Sequence, residues 1–127
     1  MNAVQAKKYA MRGLLVACVA TLIYGIARFE SIRLPSNGCS PVHGVEPGAR
    51  LVLDTWAQNL GAGELVLYRD AAGVLYLGRV QPFPANEESG SGLWVLGDRS
   101  DCPTRDSRDL GPIDTDRIAG RIFYVHS

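Results

Sequence analysis

Residues 97–125 read GDRSDCPTRDSRDLGPIDTDRIAGRIFYV, and this stretch changes character along its length. Its first part, 97–111, holds seven charged residues, one cysteine and one proline. Its last part, IAGRIFYV at 118–125, is rich in β-branched and aromatic residues, which is typical of a strand. The apolar run GLWV at 92–95 leads directly into the charged part. The pattern indicates two strands joined by a long polar loop, which is either merely solvated or has a specific role.

Upstream of that stretch, short apolar runs are separated by Gly, Pro and Asp, and helical periodicity ends at residue 29. The three residues AAG at 71–73 are short enough to make a hairpin turn. We therefore expect a mostly β fold over residues 30–127, a small antiparallel domain behind one N-terminal transmembrane helix. The predicted strands cover 49–57, 63–70, 74–81, 92–97 and 118–125.

Residues 1–29 have the composition of a membrane anchor. The stretch GLLVACVATLIYGIA at 13–27 is fifteen residues without a charge, and a bilayer span needs about 20 apolar residues. We expect Arg12 and Arg28 to make up the length by sending their charged ends to the two interfaces. Two alternatives stay open: a cleaved signal peptide with Gly25-Ile26-Ala27 as its small-x-small site, and a lipoprotein signal, LVAC, ending at Cys18.

Charge is distributed unevenly between the two parts of the chain. The first 29 residues carry four cations and no acid, whereas residues 30–127 carry nine arginines and thirteen acidic residues. An N-terminal excess of cations predicts a cytoplasmic N-terminus, with residues 30–127 outside the cytoplasm. An acidic domain of this kind offers no basic stripe for nucleic acid, so we expect no nucleic-acid partner.

The cysteine and histidine content argues against a metal site. The three cysteines do not have the spacing of zinc ligands, and the histidines are only His43 and His126. We expect neither a metal nor another cofactor. Cys39 and Cys102 lie within residues 30–127, which we expect outside the cytoplasm, and an oxidising compartment there would permit a disulfide.

The quoted stretch resembles the last conserved box of the type I signal peptidases, a family of membrane-anchored serine peptidases, which runs roughly GDNRDNSxDSRxxGxVxxxxIxG. The strand PGARLVL at 47–53 is similar to the family's xGDxVLV, AGELVLY at 62–68 to its RGDIVVF, and LYLGRV at 75–80 to its YIKRV. The resemblance covers residues 40–125 in the right order. The residues that match the family's box, with one extra residue before Asp106, are Gly97, Asp98, Asp101, Asp106, Ser107, Arg108, Gly111, Ile118 and Gly120, and we call residues 97–120 of this chain the last box.

The resemblance implies a catalytic serine at Ser40, eight residues before Gly48. In the family a lysine takes the proton of that serine, and the matching position here is Gly78. No lysine follows Lys8 in this chain, and an arginine such as Arg79 stays protonated at physiological pH, so neither supplies a base. His43, three residues after Ser40, is the one candidate substitute for the lysine.

The resemblance also implies a charged brace in the last box, formed by Asp98, Asp101, Asp106, Ser107 and Arg108, in which an arginine fork on a carboxylate pins one strand end to another. In the family's fold this box meets the stretch that holds the nucleophile. We therefore expect Cys39, next to Ser40, to form a disulfide with Cys102, although 63 residues separate them.

Three functions follow from these observations. In the first, the chain is a signal-peptidase-like protein of the bacterial inner membrane that has lost its catalytic base and binds an extended peptide, or a secreted or membrane protein partner, at the outer face. In the second, it is an active serine endopeptidase that cuts signal peptides or secreted and pilus-type precursors with Ser40. In the third, it is a structural accessory subunit of a membrane complex. Cleavage of a signal peptide would distinguish the second function, and stable co-purifying partners the third.

Overall fold

A computed structural model describes residues 2–87 and 90–126 of the chain. The chain begins with one long helix, α1 (Ala3–Arg28), which Asn2 caps by accepting a hydrogen bond from the Gln5 amide at 2.9 Å. None of its residues is buried, and it is long and apolar enough to cross a membrane. The single apolar N-terminal helix expected from the sequence is thus confirmed, whereas its retention in the mature protein stays a prediction.

Six strands follow among the described residues, and all neighbouring pairs are antiparallel. The order across the sheet is β1-β2-β6-β3-β4-β5, so the last strand lies in the middle, between β2 and β3. The mostly β, antiparallel fold class is therefore confirmed. The strands are β1 (Phe29–Arg33), β2 (Arg50–Asp54), β3 (Leu65–Arg69), β4 (Leu75–Gln81), β5 (Trp94–Leu96) and β6 (Ile118–His126), and a single helical turn, α2 (Ser107–Leu110), and a 3-10 turn at Thr115–Arg117 precede β6.

The strand predictions were right in position and differ in their ends. The predicted strand 49–57 stops at Asp54, because the Asp54 carboxylate accepts a hydrogen bond from the Trp56 amide at 3.1 Å and turns the chain. Strand β1 was not predicted. It begins at Phe29, directly after α1, so the boundary drawn between residues 29 and 30 falls inside a strand.

Both faces of the sheet are covered, each by its own apolar cluster. Side chains alternate along β3 and β4, so Leu67 and Leu77 point to one face while Tyr68 and Gly78 belong to the other. The first cluster, packed under the loop that precedes β2, consists of Val42, Val45, Ala49, Leu51, Leu53, Leu67 and Leu77. The second, packed under the last box, consists of Val66, Tyr68, Val80, Val95 and Ile113.

Strand β1 joins the helix to the sheet without a linker. The Arg28 carbonyl accepts hydrogen bonds from the Thr55 amide at 2.9 Å and the Thr55 hydroxyl at 2.6 Å. The Arg28 guanidinium donates two hydrogen bonds, at 2.7 and 2.8 Å, to the buried carboxylate of Asp54. The charged end of Arg28, which the sequence assigns to the outer lipid interface, is thus held by a carboxylate of the domain in a bidentate contact, and its position relative to a bilayer stays a prediction.

Candidate functional site

Ser40 lies in the loop between β1 and β2 and is buried. Its hydroxyl donates a hydrogen bond to the Val42 carbonyl at 3.1 Å and lies 3.4 Å from the Val42 amide. This is a local turn that a serine makes with its own backbone. The one proton that a base would have to remove is therefore directed at a main-chain oxygen.

A cleft of about 450 Å³ opens beside Ser40. Its walls come from the end of β1, the loop that holds Ser40, strands β3 and β4, and the last box. Most of the lining is apolar, contributed by Ile32, Leu34, Leu67, Leu75, Leu77 and four prolines, and the polar atoms come from Arg33, Asn37, Ser40, Tyr76 and Thr104. The volume and the predominance of apolar side chains are those of a ligand-binding cleft.

Gly78 does not face this cleft. A Cβ atom placed on Gly78 would lie 2.5 Å from Val95 Cγ1 and 3.2 Å from Tyr68 Cε1, both in the second cluster. The β4 residues that line the cleft together with Ser40 are Leu75, Tyr76 and Leu77. The space that a lysine at position 78 would need is thus filled by two packed side chains.

His43 makes no hydrogen bond with the Ser40 hydroxyl within the described part of the chain. Its side chain is exposed, and its backbone amide donates a hydrogen bond to Asp98 Oδ2 at 2.8 Å. Among residues 2–87 and 90–126, the Ser40 hydroxyl makes its hydrogen bonds with Val42 and with no imidazole or amine. His126 lies at the end of β6, exposed, and does not line the cleft.

The last box is fastened to the Ser40 loop. A disulfide joins Cys39 to Cys102, with their Cα atoms 5.8 Å apart, which confirms the predicted pairing. The amides of Asp98 and Arg99 both donate to the Pro41 carbonyl, at 2.7 and 3.2 Å. Covalent and hydrogen bonds thus hold the residues on both sides of Ser40.

Residues of the predicted brace form two ion pairs, whose partners the sequence did not specify. Asp98 binds Arg79 of β4 through a bidentate contact, with oxygen–nitrogen distances of 3.0 Å, and not Arg108. Arg108 instead closes onto Asp106, two residues away, at 2.6 Å. Asp101 is exposed and has no hydrogen bond or ion pair within the described part of the chain. The bidentate ion pair that joins β4 to the loop after β5 is therefore Arg79–Asp98.

Asp106 and Ser107 close the outer edge of β5. The Ser107 hydroxyl accepts a hydrogen bond from the Val95 amide at 2.8 Å, and Asp106 Oδ2 accepts one from the Gly97 amide at 3.1 Å. Both side chains are almost fully buried. Their part in the brace is to satisfy backbone amides of an edge strand, which a further strand would otherwise have to pair.

The environment favours ionisation of these carboxylates. The hydrogen bond from Arg79 holds the pKa of Asp98 below its ordinary value. Burial opposes ionisation of Asp106, but hydrogen bonds from Arg108 and from the Gly97 amide more than offset it, so its pKa is also lowered. Both residues are therefore fixed negative charges, and neither is suited to act as a general base near neutral pH.

Sequence reasoning missed the parts played by Arg79 and Tyr68. The sequence offers one signal for Arg79: as the neighbour of Gly78 in a strand, it faces away from Gly78. The Tyr68 hydroxyl donates to the Arg105 carbonyl at 2.6 Å and so ties β3 to the last box. Burial raises the pKa of Tyr68, which therefore stays protonated.

Within residues 2–87 and 90–126, no three His, Cys, Asp or Glu side chains come together as metal ligands would. Comparison with protein-family models, with curated proteins and with solved structures found no match for this chain. Its function therefore has to be inferred from the cleft and the residues around it.

Proposed function

We propose that this chain is a membrane-anchored, signal-peptidase-like protein without peptidase chemistry, which binds an extended segment of a secreted or membrane protein in the cleft beside Ser40. The main support for the absence of peptidase chemistry is the burial and hydrogen bonding of the Ser40 hydroxyl. It is buried, donates to the Val42 carbonyl and has no base as a partner among the described residues. General-base assistance contributes typically about 10²–10⁴-fold to such a reaction, so a serine without it is a poor nucleophile.

The cleft supports binding of an apolar segment. Ile32, Leu67 and Leu77 lie on different elements and converge on the same space, and Leu75 stands at its rim with 43% of its surface exposed. Removing such apolar surface from water favours binding by about 25 cal/mol per Å² before the costs of association.

The edge of the sheet supports binding of an extended backbone. Just beyond the two ends of β1, the Leu34 amide donates a hydrogen bond to the Ala49 carbonyl, and the Arg28 carbonyl accepts one from the Thr55 amide. Because an antiparallel ladder repeats every two residues, the backbone groups of Phe29, Ser31 and Arg33 point away from β2, to the edge of the sheet. A peptide that adds to this edge would run along β1 towards the cleft, of which Ile32 and Leu34 form one wall.

The peptidase-like arrangement is proposed for the bacterial inner membrane, with the N-terminus in the cytoplasm and the β domain outside. Its support is the apolar helix α1, the cations Lys7, Lys8 and Arg12 in the N-terminal part of that helix, and a disulfide that an oxidising compartment would preserve.

The test uses the full chain in detergent micelles and a fluorescein-labelled synthetic signal peptide with an apolar core and an Ala-x-Ala site. We expect the anisotropy of the label to rise with protein concentration, and mass spectrometry to find the peptide intact. Leu75→Asp places a charge at the rim of the cleft and should weaken binding at least tenfold. The matched control is Val74→Asp, because Val74 is the adjacent residue, is exposed to a similar extent and does not line the cleft.

Two outcomes contradict the proposal. Cleavage that disappears in Ser40→Ala would show an active peptidase, and His43→Ala would then reveal whether the imidazole is its base. An anisotropy that does not change with protein concentration, or that changes equally in both aspartate variants, would remove the cleft as a peptide site.

A further inference from the structure

Four aromatic side chains surround the place where α1 meets the sheet. Tyr24 and Trp56 contact edge to face with ring centroids 5.4 Å apart, and Phe29 and Phe123 contact with centroids 5.1 Å apart. These side chains are not core residues, since Trp56 is 49% exposed and Phe123 63% exposed. We call Tyr24, Phe29, Trp56 and Phe123 the aromatic collar.

The collar has a fixed position relative to the helix. The two hydrogen bonds from Thr55 to the last helical carbonyl, together with the Arg28–Asp54 ion pair, hold the β2 turn against the end of α1. Because no linker separates Arg28 from β1, the collar lies at the same depth as the end of the helix wherever that helix is placed.

The collar encloses the positive charge of Arg28, which groups of the protein itself neutralise. The Arg28 guanidinium binds Asp54, hydrogen-bonds Tyr24, and lies 5.7 and 5.4 Å from the centroids of the Tyr24 and Phe29 rings. Asp54 also contacts Arg121 at 3.5 Å. A guanidinium paired with a carboxylate and stacked on aromatic rings needs less water than a free one, so it can remain where lipid begins.

The uncharged segment of α1 is shorter than the hydrocarbon core of a bilayer. Fifteen uncharged residues, 13–27, extend about 22 Å at the rise of an α-helix, whereas the hydrocarbon core is about 30 Å thick. Apolar surface continuous with the helix end would complete the span on the outer side, and the collar is that surface.

We infer that the aromatic collar is a lipid-binding surface, seated in the boundary between headgroups and acyl chains of the membrane that α1 crosses. Tyr and Trp favour this boundary because one part of each ring is apolar and another is polar. The inference rests on the membrane anchoring in the proposed function, but not on peptide binding. It also fixes the orientation of the domain, because the turn that carries Trp56 and the β6 residue Phe123 must then face the bilayer.

The chain provides its own reporters, since it has two tryptophans, Trp56 in the collar and Trp94 in the core with 7% exposure. The full chain is reconstituted into phosphatidylcholine vesicles whose acyl chains carry bromine either near the headgroup or near the chain end. Single-tryptophan variants Trp94→Phe and Trp56→Phe leave Trp56 and Trp94, respectively, as the fluorophore. Should Trp94→Phe disturb folding, the difference between the unsubstituted chain and Trp56→Phe reports Trp56 equally well.

We expect Trp56 to lose more than half of its fluorescence with bromine near the headgroup and less with bromine at the chain end, while Trp94 is quenched by neither. In protein that floats with the vesicles, quenching of Trp56 by aqueous iodide and not by bromine would overturn the inference that the collar binds lipid. The membrane anchor would still be supported. Protein that does not float with the vesicles would overturn both. Peptide binding in micelles is measured separately and does not depend on either result.

Discussion

At Gly78 the second apolar cluster leaves no room for a side chain. Because valine has few rotamers and Tyr68 is fully buried, neither neighbour can move away from an added Cβ without cost. We predict that Gly78→Ala lowers the free energy of unfolding by about 1–3 kcal/mol, the usual range for an overpacked core. Urea denaturation followed by circular dichroism in micelles measures this change.

Gly61→Ala is the matched control, because Gly61 has no atom within 4 Å of the added Cβ and its backbone is not left-handed. Equal stability of the two variants would show that Gly78 is not tightly packed. For the same reason we do not expect Gly78→Lys to provide Ser40 with a base, because the added side chain would enter the core and not the cleft.

Of the two links around Ser40, one could be predicted from the sequence and one could not. The Cys39–Cys102 bridge could be predicted, because it needed only the proximity of two stretches, which the family resemblance implied. The partner of Asp98 could not, because Arg108 and Arg79 are equally good donors in the sequence. Which arginine pairs with Asp98 depends on the sheet, because β4 and β5 are neighbours and Arg79 therefore lies opposite Leu96.

Among the elements, the short strand β5 depends on side chains for its outer edge. The Val95 amide is paired by the Ser107 hydroxyl alone, in a fully buried position. We predict that Ser107→Ala destabilises the domain by about 1–3 kcal/mol, because a buried amide is left without an acceptor. Hydrogen exchange should become faster at the Val95 amide in particular.

A substitution of an exposed serine, Ser100→Ala, serves as the comparison and should leave exchange at Val95 unchanged. Exchange that rises equally across all strands of the sheet in Ser107→Ala would instead mean a general loss of stability, and the local closing of the edge would be the wrong explanation.

Strand β1 could not be predicted from the sequence, for a physical reason. FESIR at 29–33 has no Gly, Pro or Asn between it and the helix, and these residues are the usual signals of a boundary. The change from helix to strand occurs at one residue, and hydrogen bonds from Thr55, far along the chain, stabilise it. The other strands lie between turn residues and could be predicted from their apolar pattern.

For the molecule as a whole, several carboxylates with lowered pKa act together. A hydrogen bond from Arg28 lowers the pKa of Asp54, as hydrogen bonds from Arg79 and Arg108 do for Asp98 and Asp106. A group whose pKa is lower in the folded state contributes stability above its unfolded pKa, near 3.8, and loses it as the pH falls through the folded value. We predict a constant melting temperature from pH 7 to about pH 5, and a steep fall below about pH 4.

Thermal melts in micelles under non-reducing conditions, at a series of pH values, measure this effect. Asp98→Asn should melt at a lower temperature at pH 7 and show a shallower fall in acid, because one of the titrating groups is gone. Asp101→Asn, at an exposed position, should follow the unsubstituted chain. A melting temperature that rises on acidification would contradict the assignment of these carboxylates as stabilising anions.

The central position of β6 has a consequence for biosynthesis. Without residues 118–126, the hydrogen-bonded pairs reduce to β1–β2 on one side and β3–β4–β5 on the other. A chain made from its N-terminus releases β6 after the other five strands, so the newly made protein must wait with two strand edges unpaired. Such late, long-range pairing is slow and favours aggregation. A chaperone that shields unpaired strand edges of nascent chains would therefore act on this protein in the interval before β6 arrives.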